Sequence, residues 1–302
     1  MPKQLSQSLI EEWVSITKGQ FNVRDIWNEI GIESPEGKKH LKTILSRLES
    51  KGLIKHLDRG FGNYRCIDNE MPIMDWRNAD PTNVVPLLWP FELEKYVSIY
   101  PKNEAILAGR KQEGKSTFLY KFIKLNMYTF KIDLFNSETG VEQLNARFCD
   151  LGIPLDAPFN VYERYDNFAD VIHPDRISVI DYLDLNSEHY LAGAEIDAIF
   201  RKLRTGIAVI GMQIPPPATT FVKGVKHTID RDYAYGGGST AKRAFIYISM
   251  SNHRLKLKHV KKPAQKNVHP ENMTWSYEFS DEGDFINIQP YHGGDRDDRF
   301  KL

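Results

Sequence analysis

Apolar residues recur at helical spacing in three segments near the start of the chain, and each segment predicts a helix. The predicted helices cover residues 7–18, a short segment from Val23, and residues 35–51. Ser34 can cap the third helix, and Gly52 stops it. Two short runs, 53–57 and 63–67, then predict strands on either side of a turn. The pattern predicts one small domain over residues 1–68.

The pattern changes after residue 92. From about Val97, short apolar runs alternate with helical stretches, which is typical of an α/β domain with a mainly parallel central sheet. Trp275, Tyr277 and Phe279 alternate with polar residues and predict a packed strand. Residues 69–92 contain four prolines and little periodicity, so they predict a linker. The predicted organisation is a domain at 1–68, a linker at 69–92 and an α/β domain at 93–302.

A glycine-containing loop separates a predicted strand, 104–108, from a predicted helix, 117–124. The loop reads Gly-Arg-Lys-Gln-Glu-Gly-Lys-Ser, and this context is that of a Walker A motif, or P-loop, whose backbone N–H groups surround phosphates. We therefore predict binding of ATP and Mg²⁺, with Lys115 on the β- and γ-phosphates and Ser116 on the metal. The predicted nucleotide-binding residues are Gly109, Arg110, Lys111, Gln112, Glu113, Gly114, Lys115, Ser116 and Thr117.

Two further predicted strands lead to carboxylates. Residues 177–180 lead to Asp181, which fits the metal-holding acid of a nucleotide hydrolase, and Asp184 follows closely. Residues 130–136 lead to Glu138. A carboxylate at this point can act in hydrolysis, or it can stabilise the start of a helix through the helix dipole.

These motifs resemble the RecA/DnaB branch of P-loop ATPases. Glu138 in Asn-Ser-Glu-Thr stands at the position of that branch's water-activating glutamate, and residues 180–185 are similar to its Walker B strand. Residues 206–213 look like the next core strand, so the resemblance implies that Gln213 senses the γ-phosphate. The segment 215–240 is predicted to be a long irregular loop, and in RecA-like proteins this loop contacts the DNA backbone. The resemblance implies nucleic-acid contacts from Lys223, Lys226 and Arg231. Also similar to DnaB-like helicases are Gln143, Leu144 and Arg147.

The end of the last alternating strand, 254–262, carries a further implication of the same resemblance. RecA- and DnaB-like assemblies place a basic residue there that reaches the γ-phosphate of the neighbouring subunit. Lys261 stands at that position and Lys262 is adjacent, which implies catalytic cations supplied across an interface of a homo-oligomer, a ring or a filament. Pro263 stands where the family often has another basic residue. The alternative is that these lysines face solvent or nucleic acid.

The first domain resembles a winged helix. Three helices and a strand pair are its layout, and the run 45–54 is similar to a recognition helix and wing entry. In such domains the exposed face of the third helix enters the major groove of DNA. The resemblance implies DNA contacts from Lys38, Lys39, Lys42, Thr43, Ser46, Arg47 and, at the wing tip, Arg59. The alternative is a protein-interaction module, because residues 1–75 hold eleven basic and eleven acidic residues.

Composition narrows the class of protein. The formal net charge is zero, but residues 241–267 hold eight basic residues and no acidic one, which favours either phosphate contacts or a solvated strand face. No stretch approaches the roughly 18 to 20 apolar residues of a membrane span, and no secretory signal opens the chain. Two cysteines are too few for a disulfide framework, and the nine histidines form no cluster with them that would predict zinc. We expect a cytoplasmic protein.

The sequence thus predicts a DNA-binding ATPase of the RecA/DnaB type, in which an oligomer couples ATP hydrolysis to DNA binding or remodelling. A translocating helicase needs the same core as a recombinase or a loader. The alternatives are an ATP-dependent DNA-binding switch or regulator, and a protein-interaction ATPase without motor activity.

Overall fold

The computed structural model describes residues 5–17, 19–58, 60–183, 191–222 and 225–292, with the backbone alone for 220–222 and 225–229. Contacts divide the chain between Ala79 and Asp80 into two units, and this division lies inside the predicted linker. Some predicted site residues lie outside the described residues: Arg59, Asp184, Lys223 and the side chain of Lys226.

The first unit contains three helices and a small antiparallel sheet. The helices are α1 (Gln7–Ile16), α2 (Val23–Ile30) and α3 (Pro35–Ser50). The strands are β1 (Gln20–Asn22), β2 (Ile54–His56) and β3 (Asn63–Cys66), in the order β1-β3-β2. The side chain of Ser34 accepts a hydrogen bond from the Gly37 N–H at 3.1 Å and caps α3 as predicted. Strand β1 was not predicted from the sequence, because a strand of three residues is too short to show a clear alternation of apolar and polar positions.

Helix α3 buries one side in the core of this unit. Leu41, Ile44 and Leu48 are fully buried there, together with Ile10 of α1 and Ile26 of α2. Their spacing of three and four residues places them on one helix face, and the polar residues between them fall on the other. The packing therefore leaves the basic face of α3 exposed.

The second unit is an α/β domain around a nine-stranded sheet. Its strands in sheet order are β14 (Phe285–Pro290), β13 (Thr274–Phe279), β12 (Arg254–Val260), β11 (Ile246–Ser251), β4 (Asn103–Gly109), β8 (Ile207–Gln213), β7 (Ile177–Asp181), β5 (Ile132–Asn136) and β6 (Asn160–Glu163). Its α-helices are α4 (Lys115–Asn126), α5 (Val141–Asp150), α6 (Phe168–Val171) and α7 (Ala192–Lys202). Strands from β11 to β6 pair in parallel, and β11 to β14 pair antiparallel, so the sheet is mainly parallel as predicted. Among the described residues, no helix is both long and apolar enough to cross a membrane.

The register of the parallel strands brings several predicted residues to one edge of the sheet. Gly109 at the end of β4 pairs with Gln213 at the end of β8, and Asn136 at the end of β5 pairs with Asp181 at the end of β7. Apolar clusters cover both faces of the sheet. Because all these strands run in the same direction, their carboxyl ends form a single polar edge, where ligands bind in open α/β sheets.

The segment 215–240 is not wholly irregular, and that prediction was wrong. Strands β9 (Ala218–Val222) and β10 (Val225–Ile229) pair antiparallel, and we call this pair the ribbon. The run Ala-Thr-Thr-Phe-Val and the run Val-Lys-His-Thr-Ile are rich in β-branched residues, which favour extended backbone. The signal for strands was therefore present in the sequence.

Candidate functional site

The P-loop joins β4 to α4 at the polar edge of the sheet. A Cβ added to Gly109 would lie 2.6 Å from Cγ of Lys115, and one added to Gly114 would lie 2.8 Å from the ring of Phe279. Gly114 also has φ of +79°, which favours glycine, and it caps α4 without a side-chain hydrogen bond. The first N–H groups of α4 therefore remain available at the positive end of the helix, as an anion site requires.

Lys115 is largely enclosed by the loop it follows. Its Nζ donates a hydrogen bond to the backbone carbonyl of Arg110 at 3.1 Å. Burial lowers the pKa of the Lys115 ammonium, and the nearby carboxylates of Glu138 and Asp181 act in the opposite direction. A phosphate in the loop would give this ammonium a direct anionic partner in addition to the carbonyl of Arg110.

Ser116 brings the two predicted acids together. Its Oγ lies 3.2 Å from Oδ1 of Asp181 and 3.3 Å from Oε2 of Glu138. Glu138 lies two residues before Gly140, the N-cap residue of α5, and its carboxylate accepts a hydrogen bond from Ser116 of the P-loop. The three side chains form one oxygen cluster although they come from three separate segments.

The cluster fits a magnesium ion held together with phosphates. Asp181 is fully buried, and its Oδ2 has no hydrogen-bond partner among the described residues. Burial raises the pKa of the Asp181 carboxyl, and Tyr120, Ser116 and Lys115 oppose this shift only in part. Among the described residues, no group of three or more His, Cys, Asp or Glu side chains could hold a metal alone. Mg²⁺ often uses only one or two carboxylates and takes its other ligands from water and phosphates.

A cavity of about 820 Å³ opens beside this cluster. It is within the range of roughly 300–1,000 Å³ that small-ligand sites occupy. Predicted residues that line it are Lys111, Gln112, Gly114, Lys115, Ser116, Thr117, Glu138 and Gln213. The structure therefore brings the P-loop, the acid after β5 and the glutamine after β8 to one space.

The turn between β13 and β14 forms a wall of this cavity that the sequence did not predict. Phe279, Asp281, Glu282 and Gly283 line the cavity from this turn. The carbonyl of Gly283 accepts a hydrogen bond from Thr117 Oγ1 at 3.3 Å, and Asp284 pairs with Lys121 of α4 at 2.5 Å. Phe279 therefore both packs, as predicted, and faces the site. About 165 residues separate the turn from the P-loop, and no local pattern indicates the contact.

Helices α4 and α5 add two more residues to the cavity. Tyr120 and Arg147 line it, and the hydroxyl of Tyr120 is buried close to Asp181 and Arg147. Burial raises the pKa of this hydroxyl, and the Asp181 carboxylate adds to the effect. Arg147 acts in the opposite direction on the same hydroxyl, so the three groups lie close together. Arg147 and Gln143, which also lines the cavity, were among the residues named from the family resemblance, whereas Tyr120 was not predicted.

The two predicted catalytic lysines are not part of this cavity. Strand β12 runs antiparallel to β11, so its end lies beside the start of β4 and not beside the P-loop. Seven residues of β4 separate the two edges, which corresponds to roughly 20 Å at the rise of a strand. Lys261 is exposed there, and its Nζ is 3.4 Å from the carbonyl of Arg243. Lys262 bonds to the hydroxyl of Tyr100 and lies 4.6 Å from the centre of that ring.

The predicted nucleic-acid residues are described in part. On α3, Lys39, Lys42 and Arg47 are exposed, and the ammonium of Lys38 lies 4.7 Å from the ring centre of Trp27. In the second unit, Arg231 is exposed. The basic strand β12 is partly neutralised, because Asp232 forms ion pairs with Lys256 at 3.3 Å and Lys258 at 3.0 Å.

The chain is distantly similar to solved structures. It is 12% identical to a DnaB-like replicative helicase, with a TM-score of 0.47, over 94% of this chain and 77% of that one. It is 13% identical to a second solved structure, an isolated ATPase domain, with a TM-score of 0.46, over 85% of this chain and 100% of that one. No protein-family model and no curated protein matches the sequence. Both similarities are low, so neither assigns a role to any residue of this chain.

Proposed function

We propose that this protein is a magnesium-dependent ATPase with a RecA-like core, which couples hydrolysis to DNA binding as an oligomer. The observation that carries the proposal is the contact of Ser116 with both Glu138 and the buried Asp181, beside a cavity that Lys115, Ser116 and Glu138 line. This combination of a phosphate-binding loop, a metal-holding acid and a second carboxylate is what nucleotide hydrolysis requires.

Each side chain has a distinct task in the proposed reaction. The backbone of the P-loop and Lys115 bind the phosphates of ATP, and Ser116 and Asp181 hold the metal. Mg²⁺, when bound, neutralises charge that develops on the phosphates. Glu138 accepts a proton from the attacking water, and Gln213 contacts the γ-phosphate from the end of β8.

The position of Lys261 supports the proposed oligomer. An exposed ammonium roughly 20 Å from the P-loop of its own chain cannot contact a nucleotide bound there. It is available to the site of a second copy, where a cation supplied in trans stabilises charge in the transition state. Lys262 donates a hydrogen bond to Tyr100, which favours Lys261 over Lys262 for this role.

The proposed DNA contacts come from two places. The exposed cations of α3 support the proposal that the first unit is a winged helix whose third helix meets DNA. In the second unit, exposed Arg231 beside the ribbon supports contact with the phosphate backbone. The proposed contact of Lys223 and Lys226 with nucleic acid remains a prediction from the sequence.

The test is steady-state ATP hydrolysis measured without nucleic acid, with single strands and with duplex DNA. We expect stimulation of about tenfold or more by DNA, abolished by Lys115→Ala and by Glu138→Gln. Hydrolysis that requires Lys115 but ignores all nucleic acid would overturn the coupling and favour an ATPase that acts on a protein partner. Slow hydrolysis that ignores DNA, together with site-specific duplex binding, would favour a DNA-binding switch.

A further inference from the structure

Both ends of the ribbon are attached to the first two residues of the P-loop. Before β9, the N–H of Ile214 donates a hydrogen bond to the carbonyl of Gly109 at 3.0 Å. After β10, Asp230 forms an ion pair with Arg110, with 2.6 Å between Oδ1 and Nη2. The two ends of the ribbon are thus held by neighbouring P-loop residues, so a shift of the loop at Gly109 and Arg110 displaces both.

The link between Arg110 and Asp230 is completed by Asn252. Nη1 of Arg110 donates to Oδ1 of Asn252 at 2.9 Å, and Nδ2 of Asn252 donates to Oδ2 of Asp230 at 2.8 Å. Each oxygen of the Asp230 carboxylate therefore has its own donor, and the guanidinium is held in a fixed plane. Such charge-assisted hydrogen bonds orient groups better than a single point contact does.

Asn252 is itself positioned by the P-loop. Asn252 and His253 form the turn between β11 and β12, and both have positive φ, 54° and 52°. The carboxylate of Glu113 accepts hydrogen bonds from both of their N–H groups, at 2.8 Å each. Asp230 is thus bound directly by Arg110 of the P-loop and by Asn252, whose backbone N–H is held by Glu113 of the P-loop.

The same arginine connects to the nucleotide site through its backbone. Its carbonyl accepts the hydrogen bond from Lys115 Nζ at 3.1 Å. A phosphate that binds Lys115 attracts the same ammonium and so changes the position of its hydrogen bond to the carbonyl of Arg110. We propose that Arg110 is a positioning residue which, through Asp230, makes the ribbon's conformation depend on whether the P-loop holds a nucleotide. This inference rests on the proposed nucleotide binding and adds a route distinct from Gln213.

The ion pair between Arg110 and Asp230 can break without unfolding the protein, so it can transmit a change in the P-loop to the ribbon. The side chain of Asp230 is 52% exposed and that of Arg110 is 18% exposed. Ion pairs with this much exposure contribute little to stability. Loss of the pair therefore removes the connection and leaves the sheet and the P-loop intact.

The test compares Asp230→Ala with Asp232→Ala. Asp232 is two residues away, binds Lys256 and Lys258, and makes no ion pair with the described P-loop residues, so its variant controls for loss of an acid in this segment. Nucleotide binding is measured with a fluorescent ATP analogue, and backbone amide exchange is measured over residues 218–229. A non-hydrolysable ATP analogue should change ribbon exchange in the wild type and in Asp232→Ala. In Asp230→Ala we expect unchanged affinity, within about threefold, and no change in exchange.

A double-variant comparison separates the pair from each residue alone. Arg110→Ala and the combination Arg110→Ala with Asp230→Ala should lose the exchange response to the same extent as Asp230→Ala, because the residues act as one unit. A full response in Asp230→Ala, or no response in a wild type that binds the analogue, would overturn the inference and leave the proposed function standing. Absence of nucleotide binding by the wild type would overturn both.

Discussion

Lys262 donates a hydrogen bond to the hydroxyl of Tyr100, whereas Lys261, the residue before it, is exposed at the same edge of the sheet. Adjacent residues of an extended chain point in opposite directions, so one lysine packs and the other does not. We predict that Lys261→Ala lowers kcat of the oligomer by about 100-fold or more, since a cation supplied in trans is worth at least this much. Lys262→Ala should reduce kcat much less.

A mixing experiment checks whether Lys261 acts on a neighbouring copy. Lys115→Ala and Lys261→Ala are each expected to be inactive alone. Mixed oligomers contain interfaces with an intact P-loop on one copy and an intact Lys261 on the next, so their mixture should regain part of the activity. No recovery in oligomers shown to exchange subunits would mean that Lys261 does not act in trans.

Glu138 should be needed for hydrolysis but not for ATP binding. We predict that Glu138→Gln lowers kcat by about 10²- to 10⁴-fold, the usual contribution of a general base. The amide keeps the shape of the side chain near Ser116, so ATP affinity measured by fluorescence should change little. The matched control is Glu142→Gln, because Glu142 is exposed in the first turn of α5. Equal effects of the two substitutions on kcat would contradict the assignment.

The buried carboxyl of Glu104 should make stability depend on pH. Glu104 lies at the start of β4 with both oxygens lacking a hydrogen-bond partner among the described residues, and burial raises its pKa to about 8. Arg243 and Lys261 face it and oppose this shift, whereas Asp197 adds to it. A raised pKa means that the folded state keeps a proton which the unfolded state releases. The stabilisation is therefore full below the ordinary pKa of 4.5 and is lost as the pH rises to about 8.

Glu104→Gln should remove this dependence, because the amide is neutral at every pH. We expect the variant to gain stability relative to the wild type between about pH 5.5 and 8.5, on the order of a few kcal/mol. Urea unfolding of both proteins at about pH 5.5 and 8.5 measures the difference in their free energies of unfolding. Parallel behaviour of the two proteins across this range would show that Glu104 does not hold its proton in the folded state.

Local sequence patterns predict much of the fold and the central residues of the candidate site. The strand, glycine loop and helix around Lys115 are consecutive in the chain, so the sequence predicts them directly. Asp181 and Glu138 follow apolar strands, and parallel pairing brings the ends of such strands to one edge. The sequence could therefore place these acids near Lys115, although their common contact with Ser116 depends on the register of the sheet.

The remaining parts of the site depend on packing between distant segments. Phe279 lies near Gly114 because three antiparallel strands extend the sheet beyond β11. No sequence pattern near Phe279 indicates which part of the domain its ring will contact. The ion pair of Arg110 with Asp230 joins residues 120 positions apart. The ribbon is a different case. Its β-branched runs favour strands, but the glycines that follow it favour a loop, and the segment was therefore predicted to be irregular.

The exposed face of α3 should contribute to DNA affinity through phosphate contacts. Each phosphate contact that is lost reduces the slope of log K against log salt by about one. Combined substitution of Lys39, Lys42 and Arg47 by alanine should therefore lower the slope by about three and weaken binding at low salt across unrelated duplex sequences. Lys51→Ala is the control, because Lys51 at the end of α3 already pairs with Glu11 at 2.7 Å. An unchanged slope in the triple variant would exclude this face from DNA, and the first unit would then be expected to bind a protein.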